Sequence, residues 1–162
     1  MKKAVFAGTF DPVTLGHEAV IEKASNLFDE VIVAVCINAE KTAKFSLDIR
    51  LEMLNATCKK YKNVKVIYHS GMLVDFMKEN GIIYTVRGVR NSVDYEYERK
   101  MHDFNSSLYP EIVTLYIPCD EKLKSISSTL VKKALENNEN LQDKLSSEVI
   151  KIIEKNSKQN SK

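Results

Sequence analysis

Gly8-Thr9-Phe10-Asp11-Pro12-Val13-Thr14-Leu15-Gly16-His17 is the stretch whose reading decides the fold. It follows a short apolar run, Ala4–Ala7, that reads as a buried strand. It precedes a helical pattern from about Glu18 to Phe28, with Ala19, Val20, Ile21, Leu27 and Phe28 at the apolar positions. A glycine-containing turn between a strand and a helix is where an α/β fold binds phosphate, because backbone N–H groups point outward and the helix N-terminus favours negative charge. Gly16 lets a ligand approach the backbone, and His17 can place an N–H donor on a phosphate oxygen. The stretch lacks Gly-Lys-Ser/Thr and Gly-x-Gly-x-x-Gly, so it is neither a P-loop nor a dinucleotide fingerprint.

Outward from this turn the chain alternates strands and helices. Glu30–Ile37 is a β-branched run suited to a strand buried on both faces. Asn38–Phe45 reads as a polar loop, and Ser46 as the cap of a helix reaching about Lys60, with Leu47, Leu51 and Leu54 at helical spacing. Val64–Tyr68 is a third strand, and Met72–Asn80 a short helix closed by Gly81. Ile82–Val86 is a fourth strand, Arg87–Ser92 a loop, and Val93–Leu108 a helix. Ile112–Ile117 is the fifth strand, and Ser127–Leu135 and Leu145–Glu154 are C-terminal helices. This order predicts an α/β fold: a Rossmann-like, doubly wound sheet of five mainly parallel strands with helices on both faces. Residues 1–155 read as one domain and 156–162 as a polar tail. Ligands of such a sheet sit outside the carboxyl ends of the strands, where the loops carrying Thr9, His17, Lys41, Arg87, Arg90 and Ser127–Thr129 converge.

The chain of 162 residues is long enough for one real core. Its 44% hydrophobic and 28% charged residues are ordinary for a globular domain. A net charge of +2 argues against a nucleic-acid partner, so an anion site must be built from a few placed cations. Cys36, Cys58 and Cys119 are odd in number and lack metal-like spacing, and the start Met1-Lys2-Lys3 leads into a strand rather than a signal peptide. These features predict a reducing, cytoplasmic setting and no membrane span.

Three segments carry chemistry. Arg87-Gly88-Val89-Arg90 follows a buried strand; two arginines there can clamp a polyphosphate through their forks, the plainer alternative being ion pairs with Asp94 or Glu96. Ile126-Ser127-Ser128-Thr129-Leu130-Val131-Lys132 opens a helix, and three consecutive hydroxyls exceed the need of a single cap. Lys41 and Lys44 lie in the loop after the second strand, where most lysines are simply solvated. His69 and His102 show no partner in the pattern, and the acids of Asp94–Glu98 suit a helix start. No nucleophile–base pair and no metal cluster emerge. A site made of His, Lys, Arg, Ser, Thr and backbone N–H groups consists wholly of stabilisers, which suits phosphoryl or nucleotidyl transfer.

These motifs resemble a known family. Gly8-Thr9-Phe10-Asp11-Pro12 with Thr14-Leu15-Gly16-His17 is similar to the nucleotidyltransferase signature. Together with Arg87–Arg90, Asp94-Tyr95-Glu96-Tyr97-Glu98 and Ile126–Lys132, it resembles the phosphopantetheine adenylyltransferase family over about residues 2–155. The resemblance implies transfer of the adenylyl group of ATP to 4′-phosphopantetheine, with Mg²⁺, giving dephospho-coenzyme A and pyrophosphate in the penultimate step of coenzyme A synthesis. It implies that His17 stabilises the transition state. It implies that Thr9, Phe10, His17, Gly88, Val89, Arg90, Glu98, Leu123, Lys124, Ser125, Ile126, Ser127, Ser128 and Thr129 bind ATP. Thr9, Lys41, Leu73 and Arg87 then bind the acceptor, with Met72, Met101 and Phe104 as apolar neighbours. A homohexamer and feedback inhibition by coenzyme A are further implications. The chain departs from the family pattern at Leu123-Lys124-Ser125, where many members carry Tyr or Trp, so backbone contacts are expected to read the adenine. Cytidylyltransferases and nicotinamide-mononucleotide adenylyltransferases generally begin the histidine motif with His rather than Thr. A non-catalytic nucleotide-binding module could dispense with His17.

Overall fold

The structure is a computed structural model that describes residues 1–37 and 42–159. β1 spans Lys3–Gly8, followed by α1 (Leu15–Leu27), β2 (Glu30–Cys36), α2 (Leu47–Cys58), β3 (Val64–His69), α3 (Leu73–Glu79), β4 (Tyr84–Val89) and α4 (Ser92–Leu108). β5 (Val113–Pro118), a 3-10 turn (Glu121–Leu123), α5 (Ser128–Glu136) and α6 (Ser147–Gln159) complete the order. The five strands lie in the order β3-β2-β1-β4-β5, and every adjacent pair is parallel. The expected doubly wound sheet is therefore wholly parallel. Its order reverses between β1 and β4, so a ligand crevice opens at the carboxyl ends of those two strands.

Side chains alternate across the pleat, and each face of the sheet gathers its own core. Ala4 and Phe6 of β1 and Val31, Val33 and Val35 of β2 face α1, α2, α5 and α6. Val5, Ala7, Ile32 and Ala34 face the opposite side, with Met77 of α3 and with Ile82 and Ile112. These strand residues are buried almost completely, which is why β2 is continuously apolar rather than alternating. By contrast α4 has no buried residue and is tied to the sheet by polar side chains.

Two boundaries differ from expectation. Arg87, Gly88 and Val89 are strand rather than loop, because they pair in register with Tyr116, Ile117 and Pro118 of β5. Their turn-like composition is overridden by that neighbour. The C-terminal helix runs through residues 156–159, which were expected as tail. Asn156 Nδ2 donates to the Ile152 carbonyl at 2.8 Å and Ser157 Oγ to that of Ile153 at 3.0 Å, so polar side chains continue the helix. The short 3-10 turn was not foreseen. Gly81 does take the left-handed conformation expected of it (φ 61°).

Gly88 has no room for a side chain: a Cβ there would lie 2.8 Å from Cγ2 of Val20 on α1. Gly88→Ala is expected to lower the unfolding free energy by about 1–3 kcal/mol, the usual cost of overpacking. Adding Val20→Ala should recover part of that loss, so the double variant falls short of the sum of the singles in denaturant titrations.

Candidate active site

The turn after β1 is held from several directions. Thr14 caps α1: its hydroxyl accepts from the His17 N–H at 3.4 Å, while the Thr14 N–H donates to His17 Nδ1 at 3.0 Å. The pair is a capping box in which His takes the place usually held by Glu or Gln. Phe10 sits in the left-handed region (φ 46°), a conformation that costs a non-glycine residue about 1–2 kcal/mol. Its ring is only 1% exposed and packs edge-on against Phe6 (5.3 Å) and His17 (5.1 Å), which offsets that cost. The Asp11–Pro12 bond is cis.

The capping box sets the chemistry of His17. Because Nδ1 accepts a backbone hydrogen bond, the neutral ring carries its proton on Nε2. Burial first, and then the charges of Arg87 and Arg90, lower the His17 pKa to about 4. At neutral pH the ring is an uncharged Nε2–H donor on the wall of the crevice. An NMR titration of the His17 ring should give a midpoint near 4. Arg87→Gln should raise that midpoint without restoring the ordinary value near 6.5, since burial is the larger cause and remains. The sign for stability follows. The unfolded chain protonates this ring first, so the contribution of His17 is intact above about 6.5 and is lost as pH falls toward about 4.

Both arginines are engaged by acids of α4. Arg87 forks onto Glu98 (Nε–Oε2 2.6 Å, Nη2–Oε1 2.7 Å) and donates from Nη1 to the Ala7 carbonyl at 2.5 Å. Arg90 meets Asp94 through Nε at 2.7 Å and Nη2 at 3.1 Å, and its Nη1 lies 3.4 Å from the Ile126 carbonyl. This pairing holds Asp94 below the usual carboxylate range. The plainer alternative of ion pairs is thus partly realised, with Glu98 rather than Glu96 as the partner of Arg87. The Ser127 hydroxyl caps α5, accepting from Leu130 N–H at 3.1 Å, and Ser128 Oγ donates to the Pro12 carbonyl at 2.8 Å. Two of the three hydroxyls therefore do structural work, and the second ties α5 to the first turn.

Two cavities meet at this crevice. The larger, of about 600 Å³, is lined by Thr9, Phe10, Gly16, His17, Gly88, Arg90, Ile126, Ser127 and Ser128 among others. The second, of about 370 Å³ and mainly apolar, is lined by Met72, Leu73, Met101, Phe104 and Asn105, with Cys36, His102 and Thr114. Ala7, Gly8, Thr9, Arg87, Tyr97 and Glu98 border both. Each volume is in the range of small-molecule sites.

The sequence-derived residues fall into three groups. Thr9, Phe10, His17, Leu73, Arg87, Gly88, Arg90, Glu98, Ile126, Ser127 and Ser128 line one or both cavities. Val89, Leu123, Lys124, Ser125 and Thr129 do not; Leu123 ends the 3-10 turn and Thr129 is exposed in the first turn of α5. Lys41 lies outside the described residues. Sequence reading missed Tyr97 and Asn105. They share a face of α4 with Met101, at the i, i+4, i+8 spacing that could have found them. His102, which showed no partner in sequence, has Nδ1 2.9 Å from Thr114 Oγ1.

A phosphate-type turn at the switch point of a parallel sheet, a neutral histidine donor and two arginines together define a nucleotidyltransferase. The cytidylyltransferase-like family profile matches residues 5–134. A solved Vibrio parahaemolyticus structure, assigned as a nicotinate-nucleotide adenylyltransferase, has the same fold: its TM-score is 0.71 at 20% identity, over 94% of this chain and 92% of that one. The phosphopantetheine adenylyltransferase of Clostridium botulinum (strain Hall) is 41% identical over 155 residues, 96% of this chain and 94% of its own. That of Chromobacterium violaceum is 44% identical over 133 residues, 82% of this chain and 81% of its own. The chain belongs to the phosphopantetheine adenylyltransferase family.

Proposed function

We propose that the two cavities hold ATP and 4′-phosphopantetheine and that the adenylyl group passes between them at Thr9, His17 and Arg87. The products are dephospho-coenzyme A and pyrophosphate, the reaction of the family to which the chain belongs. The observation that carries this assignment of sites is the meeting of a nucleotide-sized cavity of mixed lining and a mainly apolar one at a shared wall of Thr9, Arg87 and Glu98. An apolar cavity suits the pantetheine arm, and the arginine at its mouth suits the phosphate at the end of that arm.

The chemistry needs no base. An oxygen of the acceptor phosphate, already anionic, attacks the α-phosphorus of ATP in line. One P–O bond forms, the bond from the α-phosphorus to its bridge to the β-phosphate breaks, and the electron pair leaves with pyrophosphate. As the α-phosphorus becomes five-coordinate, its oxygens gain charge. His17 Nε2–H and the Phe10 N–H donate to them, in a site where burial strengthens each bond. Arg87 holds the acceptor phosphate, and Arg90 the leaving end of the triphosphate. Gly88, Ile126, Ser127 and Ser128 form the nucleotide wall. Val89, Leu123, Lys124, Ser125 and Thr129 act through backbone or at the edge of the base, and Lys41 and Leu73 complete the acceptor side.

Mg²⁺ belongs to this reaction as part of the MgATP substrate. Among the described residues no cluster of three His, Cys, Asp or Glu side chains could hold a metal, and Asp94 and Glu98 are already committed to arginines. Among the described residues the side chains build no cage for the ion, so triphosphate oxygens and water would supply its ligands.

Among the described residues no helix is long and apolar enough to cross a membrane. We propose a cytoplasmic enzyme that acts as a homohexamer. Exposed apolar side chains on α4 (Val93 76%, Tyr97 63%, Phe104 53%) offer a face for assembly, which light scattering would test. Coenzyme A shares its pantetheine arm with the acceptor and is the expected competitor for the apolar cavity. The deciding experiment for the reaction is pyrophosphate release from ATP, which should require 4′-phosphopantetheine. Release independent of the acceptor, or none in its presence, would overturn the reading.

A further inference from the structure

Behind the turn after β1 lies a third, small cavity of about 50 Å³, lined by Thr9, Asp11, Ile37, Thr42, Ala43, Arg50 and Lys132. Arg50, on α2, is only 5% exposed. Its Nη1 donates to the Thr9 carbonyl at 2.9 Å. Its Nε is buried and has no hydrogen-bond partner among the described residues. No carboxylate pairs with it among them either, although Asp11 lines the same cavity. The Asp11 carboxylate accepts instead from the N–H groups of Lys44 and Phe45, both at 2.9 Å, and from Lys132 Nζ at 3.3 Å. A largely buried guanidinium whose Nε is unpartnered, and whose one hydrogen bond among the described residues is to a carbonyl, is a costly arrangement for stability alone. It calls for another explanation.

Peptide geometry supplies one. The peptide unit is planar and trans, so its C=O and N–H point in opposite directions. Arg50 draws the Thr9 carbonyl toward the small cavity. The N–H of Phe10 is then turned away from the small cavity, and Thr9, Phe10 and His17 all line the nucleotide-sized one. This N–H has no acceptor among the described residues. The left-handed backbone at Phe10 leaves the peptide conformationally vulnerable, since the more usual conformers of a non-glycine residue would aim it elsewhere.

We infer that Arg50 is a positioning residue: by holding the Thr9 carbonyl it locks the Thr9–Phe10 peptide with its N–H aimed at the reacting α-phosphate. The inference rests on the proposed reaction and adds to it a residue that touches neither substrate. Asp11, next along the chain from that peptide, is itself held by the N–H groups of Lys44 and Phe45 in the loop before α2 and by Lys132 of α5. Arg50 therefore sets the aim of a donor that meets the bound α-phosphate and strengthens as charge develops on it in the transition state.

The test has a direct part and a kinetic part. In the ¹⁵N-labelled wild-type protein, the Phe10 amide proton should move downfield as MgATP is titrated in; an unmoved resonance at saturation overturns the inference. In steady-state assays Arg50→Gln should lower kcat about 10- to 10²-fold, the scale of loss for a misaligned donor, with KM for ATP and for 4′-phosphopantetheine changed less than about three-fold. Arg50→Lys, which keeps one donor, should recover part of that loss. A folded Arg50→Gln protein with wild-type kcat overturns the inference, as does a loss confined to KM. If Arg50→Gln does not fold, the Phe10 resonance and Arg50→Lys decide. Failure of the wild-type protein to release pyrophosphate with the acceptor would count against the reaction itself, whereas an active wild type indifferent to Arg50 would count only against this role.

Discussion

His17→Ala is expected to slow adenylyl transfer about 10²–10³-fold, the usual loss for one transition-state donor in a site shielded from water. ATP affinity should barely change. The ring is neutral, with a pKa near 4, so it makes no ion pair with the ground-state triphosphate. It offers one N–H, and that bond strengthens when charge develops on the α-phosphate oxygens. A loss shared equally by kcat and kcat/KM is the mark of such an interaction. The fold should survive. Thr14 keeps its own hydroxyl as cap of α1, so the variant gives up only the Nδ1 half of the capping box, about 1 kcal/mol or less. Single-turnover rates beside equilibrium ATP binding make the comparison. Near-wild-type turnover in a folded His17→Ala protein would remove His17 from the mechanism, and a loss confined to ATP affinity would make it a binding residue only.

The first turn was legible in sequence because everything that shapes it is local. Thr14 and His17 lie three residues apart, and their reciprocal hydrogen bonds are a short-range pattern. The cap at Ser46 was readable for the same reason, while at the start of α5 the pattern left Ser127 and Ser128 both open as the cap and the structure gives it to Ser127. What sequence could not show was set by partners far along the chain. Arg87–Val89 look like a loop, but β5 supplies ladder partners almost 30 residues away and makes them strand. Arg50 looks like an ordinary polar position on an amphipathic helix. Its burial follows from a carbonyl 41 residues earlier, which no periodicity encodes. The acids of α4 were read through the helix dipole, which accounts for Asp94 in the first turn but not for Glu98 a turn later. The role of Glu98 as the partner of Arg87 emerges only when α4 lies over the sheet. The tautomer of His17 was likewise invisible until the Thr14 N–H was seen to occupy Nδ1.

Arg87→Lys is expected to raise the KM for 4′-phosphopantetheine about 10- to 10²-fold, since a charge-assisted hydrogen bond contributes about 1.5–3 kcal/mol and each 1.4 kcal/mol is a factor of ten. The substitution keeps the charge and removes the fork. In the structure three of its five donors are engaged: two on Glu98 and one on the Ala7 carbonyl. An acceptor phosphate must therefore compete with Glu98 for the guanidinium, and a planar group with five donors can share itself between the two. An ammonium is a point charge on a shorter reach. It can hold the α4 carboxylate or the phosphate, but not both along with a strand carbonyl. The KM for ATP should move much less, because Arg90 and the start of α5 line the nucleotide cavity without drawing on Arg87. The competing account is that Arg87 serves only to fasten α4, a helix with no buried residue, to the sheet. On that account Arg87→Lys lowers the thermal midpoint and leaves the acceptor KM where it was. Measuring both quantities on one preparation separates the two roles.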